Sequence, residues 1–181
     1  MDFNWKNMKK LFFALFCAVI FAVSAQAQTV KVSFRTADDT KAAWPFAEKK
    51  FTKEPAVTEA TVTLKKTKYV FEFVSTTGIY VNSKFGLMLG GEAGNYIKLP
   101  GVKGKTLAKV SVKYGGKGNA GRLAVTDAKG KVLEGGKPAK SQDINYVNTW
   151  EVSGVKKGKP AFLTFTHDSS AKIKEIVLEY K

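Results

Sequence analysis

The sequence predicts an all-β protein, an antiparallel β-sandwich of jelly-roll type following a cleaved N-terminal signal peptide. Three observations predict it. From Gln28 onward, short stretches alternate apolar and polar residues with period two, the mark of strands buried on one face only. Glycine-rich reversals separate these stretches, as they do in sandwiches and barrels. No segment after the leader keeps a capped helical period for three turns, which argues against a parallel α/β fold.

The leader comes first. Lys6, Lys9 and Lys10 supply a positive start, Leu11 to Val23 an unbroken apolar run, and Ala25-Gln26-Ala27 a small-residue cleavage site, the three parts of a secretory signal peptide. The apolar run is shorter than the roughly twenty residues a membrane-spanning helix needs. The expected product is one exported β-sandwich domain over residues 28–181, secreted or periplasmic and open to association with the cell surface, with no transmembrane segment. Cys17 is the only cysteine and leaves with the leader, so neither disulfide nor thiolate chemistry is open to the domain. Phe16 stands where a lipoprotein anchor would want a small residue.

The strands follow in order. Val30, Val32 and Phe34 alternate with Lys31, Ser33 and Arg35; the pattern returns in Val110, Val112 and Tyr114, and again in Ile176, Leu178 and Tyr180. Between these, Thr61 to Leu64, Tyr69 to Val74, Ile79 to Asn82, Phe85 to Leu89, Tyr96 to Leu99, Arg122 to Thr126, Lys131 to Leu133, Thr149 to Ser153 and Ala161 to Thr166 are short and rich in β-branched or aromatic residues. Asp127-Ala128-Lys129-Gly130 reads as a hairpin loop with Gly130 at positive φ. Residues 37–54 lack alternation and carry Trp44-Pro45-Phe46, so they are expected to form a long loop folded over one end of the sandwich.

Charge is lopsided. The chain carries 30 Lys and Arg against 15 Asp and Glu, a formal +15. The leader's three lysines and one aspartate account for +2 of it, so +13 remains on the domain. Only Arg35 and Arg122 are arginines. Lysines are hydrated point charges rather than bidentate forks. They protect strand edges and draw anionic polymers in a salt-sensitive way.

Several pieces together resemble a known class. Gly94-Asn95-Tyr96-Ile97-Lys98-Leu99-Pro100, then Gly104-Lys105-Thr106-Leu107, then Lys109-Val110-Ser111-Val112 resemble a pattern of secreted proteins of Bacteroidetes-type bacteria. Leu123-Ala124-Val125-Thr126-Asp127, the Thr149-Trp150 strand and the closing Ala171-Lys172-Ile173-Lys174-Glu175-Ile176 agree with it. These modules are similar to galactose-binding-like and carbohydrate-binding jelly rolls. The resemblance implies a sandwich, a binding role and extracellular carbohydrate as ligand; a fold shared by many modules does not name the ligand.

Chemistry is sparse. His167 is the only histidine, which excludes metal centres built from two or more His and a His-pair acid–base mechanism. A Ser/His/Asp triad can be drawn from Ser169 or Ser170 with His167 and Asp168, but adjacency in sequence is no evidence of geometry. No pair stands out among Glu72, Glu92, Glu151, Glu175 and Glu179 as the two facing carboxylates of a glycosidase. Asp38, Asp39, Asp127, Asp143 and Asp168 could give oxygens to a structural calcium, which the resemblance makes conceivable, but no specific motif supports it and turn chemistry explains Asp at hairpins. The expectation is no cofactor and no catalytic residue. Gly115-Gly116-Lys117-Gly118-Asn119 lacks the ending of a phosphate loop, and no RNA-binding sheet signature is present, so no specific nucleic acid is expected.

Sugars offer an apolar C–H face to aromatic rings and hydroxyls to amides and carboxylates, so a glycan site wants aromatics beside such groups. Two clusters qualify: Trp44 and Phe46 with Tyr80, Asn82 and Lys84, and Tyr146 with Asn148 and Trp150. Core packing competes in both, because Trp150 shares a strand face with Val152 and Trp44 could plug the end of the sandwich. The functions expected are a non-catalytic module for extracellular carbohydrate, then a structural or adhesive surface protein meeting anionic polymers through lysine-rich faces, then a polysaccharide-acting enzyme.

Overall fold

A computed structural model describes residues 27–34, 56–64, 66–76, 78–82, 84–116, 122–138 and 147–181. The apolar run Leu11 to Val23, the 37–54 segment, and Trp44, Phe46 and Tyr146 lie outside the described residues. Among the described residues eleven strands are present: β1 (Gln28–Ser33), β2 (Ala56–Leu64), β3 (Thr67–Ser75), β4 (Ile79–Asn82), β5 (Gly86–Gly91), β6 (Tyr96–Leu99), β7 (Leu107–Tyr114), β8 (Leu123–Thr126), β9 (Val147–Glu151), β10 (Ala161–Phe165) and β11 (Ser169–Tyr180).

They form two antiparallel sheets. The first runs β4-β5-β11-β7-β9, and the second β2-β3-β6-β10-β8. In the first, β11 is long enough for two partners on one edge, with β5 along Ser169–Ile173 and β1 along Glu175–Tyr180, while β7 holds the opposite edge. From β5 to β11 every connection crosses from one sheet to the other, the wrapping of a jelly roll. Period-two alternation then builds the core: Phe71 and Phe73 from β3, Ile97 and Leu99 from β6, and Leu163 and Phe165 from β10 meet Val110 and Val112 from β7 and Ile176 and Leu178 from β11. This is the sandwich that the alternation predicts.

Some boundaries differ from the sequence reading. β11 begins at Ser169, seven residues before the clear alternation at Ile176; a register shift between Ile173 and Glu175 breaks the period there. The stretch expected as a strand at Lys131 to Leu133 is held by single bridges, Thr126 to Val132 and Glu134 to Ser153. It still has work to do: the Leu133 N–H donates to the Val125 carbonyl and the Val125 N–H to that of Gly136, which pairs Val125 on the outer edge of β8. The hairpin at Asp127 forms as expected, with Gly130 at φ 77° and the Asp127 Oδ1 accepting the N–H groups of Lys129 and Lys131 at 2.8 and 3.0 Å.

The two ends of the sandwich differ in character. One gathers the turn into β3, the β6–β7 and β9–β10 connections and the last residue of β11, where Thr106 and Lys181 exchange backbone hydrogen bonds, both 2.9 Å, and buried Tyr180 donates to the Pro100 carbonyl at 2.6 Å. The other holds Arg122, Glu92 and Asp168; there Asp168 accepts the Ala93 N–H at 3.0 Å and Asn95 Oδ1 accepts the Thr76 N–H at 2.7 Å. Among the described residues no helix is long and apolar enough to cross a membrane.

Candidate functional site

The outward positions of the second sheet form two rows. Register places Glu72 opposite Lys98, Lys98 opposite Phe162 and Phe162 opposite Thr126; the next row runs Val74, Tyr96, Thr164, Ala124. The residues between them along each strand point into the core, so these rows face outward by strand geometry alone. The Asp127 hairpin and Val132 rise beside them at one end and Ala93, Gly94 and Thr166 at the other, enclosing a groove of about 640 Å³ along β10.

The groove floor is ordered by its own contacts. Tyr96 Oη donates to Glu72 Oε1 at 2.7 Å, and Lys98 Nζ to Glu72 Oε2 at 2.8 Å. The Thr126 and Thr164 hydroxyls lie 2.7 Å apart. The Tyr96 and Phe162 rings meet edge to face, centroids 5.2 Å apart at 87°, and both are half-buried. The bond from Lys98, then that from Tyr96, hold the Glu72 carboxyl below the usual carboxylate range, against the smaller opposing effect of burial. The same bond to Glu72 keeps the Tyr96 phenol protonated above its ordinary value. Glu72 is therefore a fixed acceptor with each oxygen engaged. A net-neutral ion pair, the half-buried Thr164 hydroxyl and two half-buried rings put polar and apolar groups side by side on this face.

The clusters expected from sequence are distributed differently. Tyr80 lies on the first sheet, opposite Met88, half-buried; Lys84 is exposed in the β4–β5 turn with its Nζ 5.3 Å from the Phe85 ring centroid, and Asn82 closes β4 opposite Gly86. Asn148 and Trp150 point into the core at 1% and 3% exposure. The Trp150 Nε1 donates to the Lys137 carbonyl at 2.8 Å, and Asn148 Nδ2 reaches Tyr114 Oη at 3.4 Å. Neither presents a surface to a ligand, because on β9 the outward places belong to Val147, Thr149 and Glu151; of the two readings of Trp150, the buried geometry matches core packing. Of the carboxylates weighed in the sequence, Glu72 and Asp127 line the groove among the described residues.

The remaining polar candidates have structural contacts. His167 is exposed, its Nδ1 3.1 Å from the Thr166 hydroxyl; Ser169 accepts a bond from Arg122 Nη1; and Asp168 is engaged with the Ala93 N–H. These three do not form a relay. Among the described residues no three His, Cys, Asp or Glu side chains converge as a metal site would require. No protein-family model matches the chain, and no curated protein is similar enough to count as a relative.

Proposed function

We propose that this is an exported, non-catalytic binding module that holds a neutral stretch of extracellular polysaccharide in the groove of the second sheet. The observation that carries the reading is the pairing of half-exposed Tyr96 and Phe162 rings with the fixed Glu72–Lys98 pair on one face. Ring faces bind sugar C–H surfaces through dispersion and desolvation; the Glu72 carboxylate and the half-buried Thr164 hydroxyl supply an acceptor and a donor for sugar hydroxyls. The likeness to secreted jelly-roll carbohydrate-binding modules and the secretory leader support the same reading, in which the domain works outside the inner membrane and needs no cofactor.

A glycan array at about 0.05 and 0.5 M salt tests it. Across that range the Debye length falls several-fold, so stacking and hydroxyl contacts persist while simple charge attraction fades. The expected result is binding of a neutral glycan at both salts, weakened at least about tenfold by Phe162→Ala and by Glu72→Gln. Retention of the same affinity by a folded Phe162→Ala protein would refute the assignment of the groove.

A further inference from the structure

A second surface lies at the lysine-bearing end of the sandwich. Two connections there repeat one turn. Val102-Lys103-Gly104-Lys105 closes with a Lys105 N–H to Val102 carbonyl bond of 3.0 Å, and Lys156-Lys157-Gly158-Lys159 with a Lys159 N–H to Lys156 carbonyl bond of 3.0 Å. Each puts glycine third, at φ 76° and 74°, the left-handed place that favours glycine in such a turn. Each therefore presents lysine on both sides of a glycine. The turns are fastened together, because the Gly158 N–H donates to the Lys105 carbonyl at 2.7 Å. Gly101 lies so close to the Gly158 carbonyl that any Cβ would collide with it.

The neighbourhood adds charge of the same sign. The register of β3 against β6 carries the β2–β3 turn to this end, with exposed Lys66 and Lys68. Leu64 to Val70, Leu99 to Thr106 and Ser153 to Pro160 contain no acid. The nearest carboxylates are engaged elsewhere: Asp127 with its own hairpin, Glu134 with the Ser153 hydroxyl at 2.6 Å and Glu179 with Lys109 at 3.4 Å; Glu151 stands across from Lys109 on the first sheet. Among the described residues, Lys103, Lys156, Lys157 and Lys159 have no carboxylate within 4 Å. Like charges held together by a backbone clamp repel one another, and a polyanion relieves that repulsion while releasing its counterions.

The geometry points to the twin Lys-Gly-Lys turns as a docking platform for an acidic polysaccharide carrying uronate or sulfate groups. Three features favour a sugar polymer over other polyanions. Among the described residues, Tyr69 and Tyr180 of this end are buried and the half-buried Phe162 packs on Tyr96 in the groove, so the turns themselves carry no ring for stacking nucleobases. Arg122 stands at the opposite end and the turns themselves carry only lysine, so they offer point charges and not the bidentate fork that suits phosphate. The exposed large apolar residues among those described are three valines, no wedge for a lipid surface. The platform is separate from the groove floor and stands whether or not the groove binds a neutral sugar.

The test is retention of the whole protein on polygalacturonate, dextran sulfate and neutral dextran. It compares the native chain with Lys103→Gln/Lys157→Gln/Lys159→Gln and with the charge-matched control Lys113→Gln/Lys172→Gln/Lys174→Gln on the first sheet. The native protein should bind both acidic polymers and not dextran near 50 mM salt; the turn variant should lose roughly ten- to hundred-fold in affinity with a shallower salt dependence, and the control less than about threefold. Equal losses in the two variants, no retention of the native chain on either acidic polymer, or tighter binding of oligothymidylate or phosphatidylglycerol vesicles than of the glycans would each overturn it.

Discussion

Replacing Trp150 by alanine separates a core tryptophan from a ligand-facing one. The side chain is 3% exposed and belongs to the shared core between the sheets. An indole buries roughly 150–250 Å²; at about 25 cal/mol per Å² the transfer loss is about 4–6 kcal/mol as an upper bound, reduced by the alanine methyl that stays buried. The Lys137 carbonyl that accepts the indole N–H belongs to an exposed residue, so water replaces most of that bond and it adds at most about 1 kcal/mol. The net expectation is about 3–5 kcal/mol, the usual range for an aromatic-to-alanine change in a core. For a domain of this size that lowers the melting temperature by roughly 10–15 °C, and Trp150→Phe, which fills most of the space, should lose less than half as much. Calorimetry and urea denaturation read both. A melting temperature within about 3 °C of native for Trp150→Ala, with glycan binding lost, would refute the core placement and return the residue to a site.

Other expectations follow from the same geometry. A carboxyl held below its ordinary value stabilises the fold above the unfolded-state value near 4.5 and loses that contribution as pH falls through the lower folded value; the stability difference between native protein and Glu72→Gln should therefore shrink as pH drops from about 5 to about 3, and a pH-independent difference contradicts the Lys98–Glu72–Tyr96 network. Removing the two bonds that the Asp127 side chain accepts from the Lys129 and Lys131 N–H groups with Asp127→Ala should cost about 0.5–1.5 kcal/mol by chemical denaturation, and no measurable change would mean that the side chain does not help set the turn. Gly101→Ala should destabilise by more than about 2 kcal/mol through collision with the Gly158 carbonyl, visible as a lower urea midpoint; a midpoint equal to native would contradict the fastening of the two turns.

How far the sequence could be read depended on the range over which each feature is determined. The strands Tyr96–Leu99 and Ile79–Asn82 were legible because their alternation is local. The first half of β11 was not, because the register shift between Ile173 and Glu175 puts its alternation out of phase with that of Ile176 to Tyr180 and its partner strand lies some eighty residues earlier. The groove is harder still. Tyr96 and Phe162 each stand at an outward strand position, a signal present in Tyr-Ile-Lys-Leu and Ala-Phe-Leu-Thr-Phe, but only the pairing of β6 with β10 brings the rings together. Glu72 reads in the sequence as an ordinary outward acid among lysines; its two donors arrive from β6, twenty-four and twenty-six residues away. Asn148 and Trp150 show the reverse. Their types suggest sugar recognition, while the alternation with Val147, Thr149 and Glu151 already indicates which side of β9 is buried.

The most direct measurement is a titration of the isotopically labelled protein with the neutral glycan that binds best, followed by amide chemical shifts at about 0.5 M salt. A groove on the second sheet predicts shifts concentrated in Tyr96–Leu99, Ala161–Phe165 and the Asp127–Lys131 hairpin, with the β4–β5 turn unmoved. Shifts centred on Tyr80 and Lys84, or no saturable shift from any glycan in the panel, would contradict it.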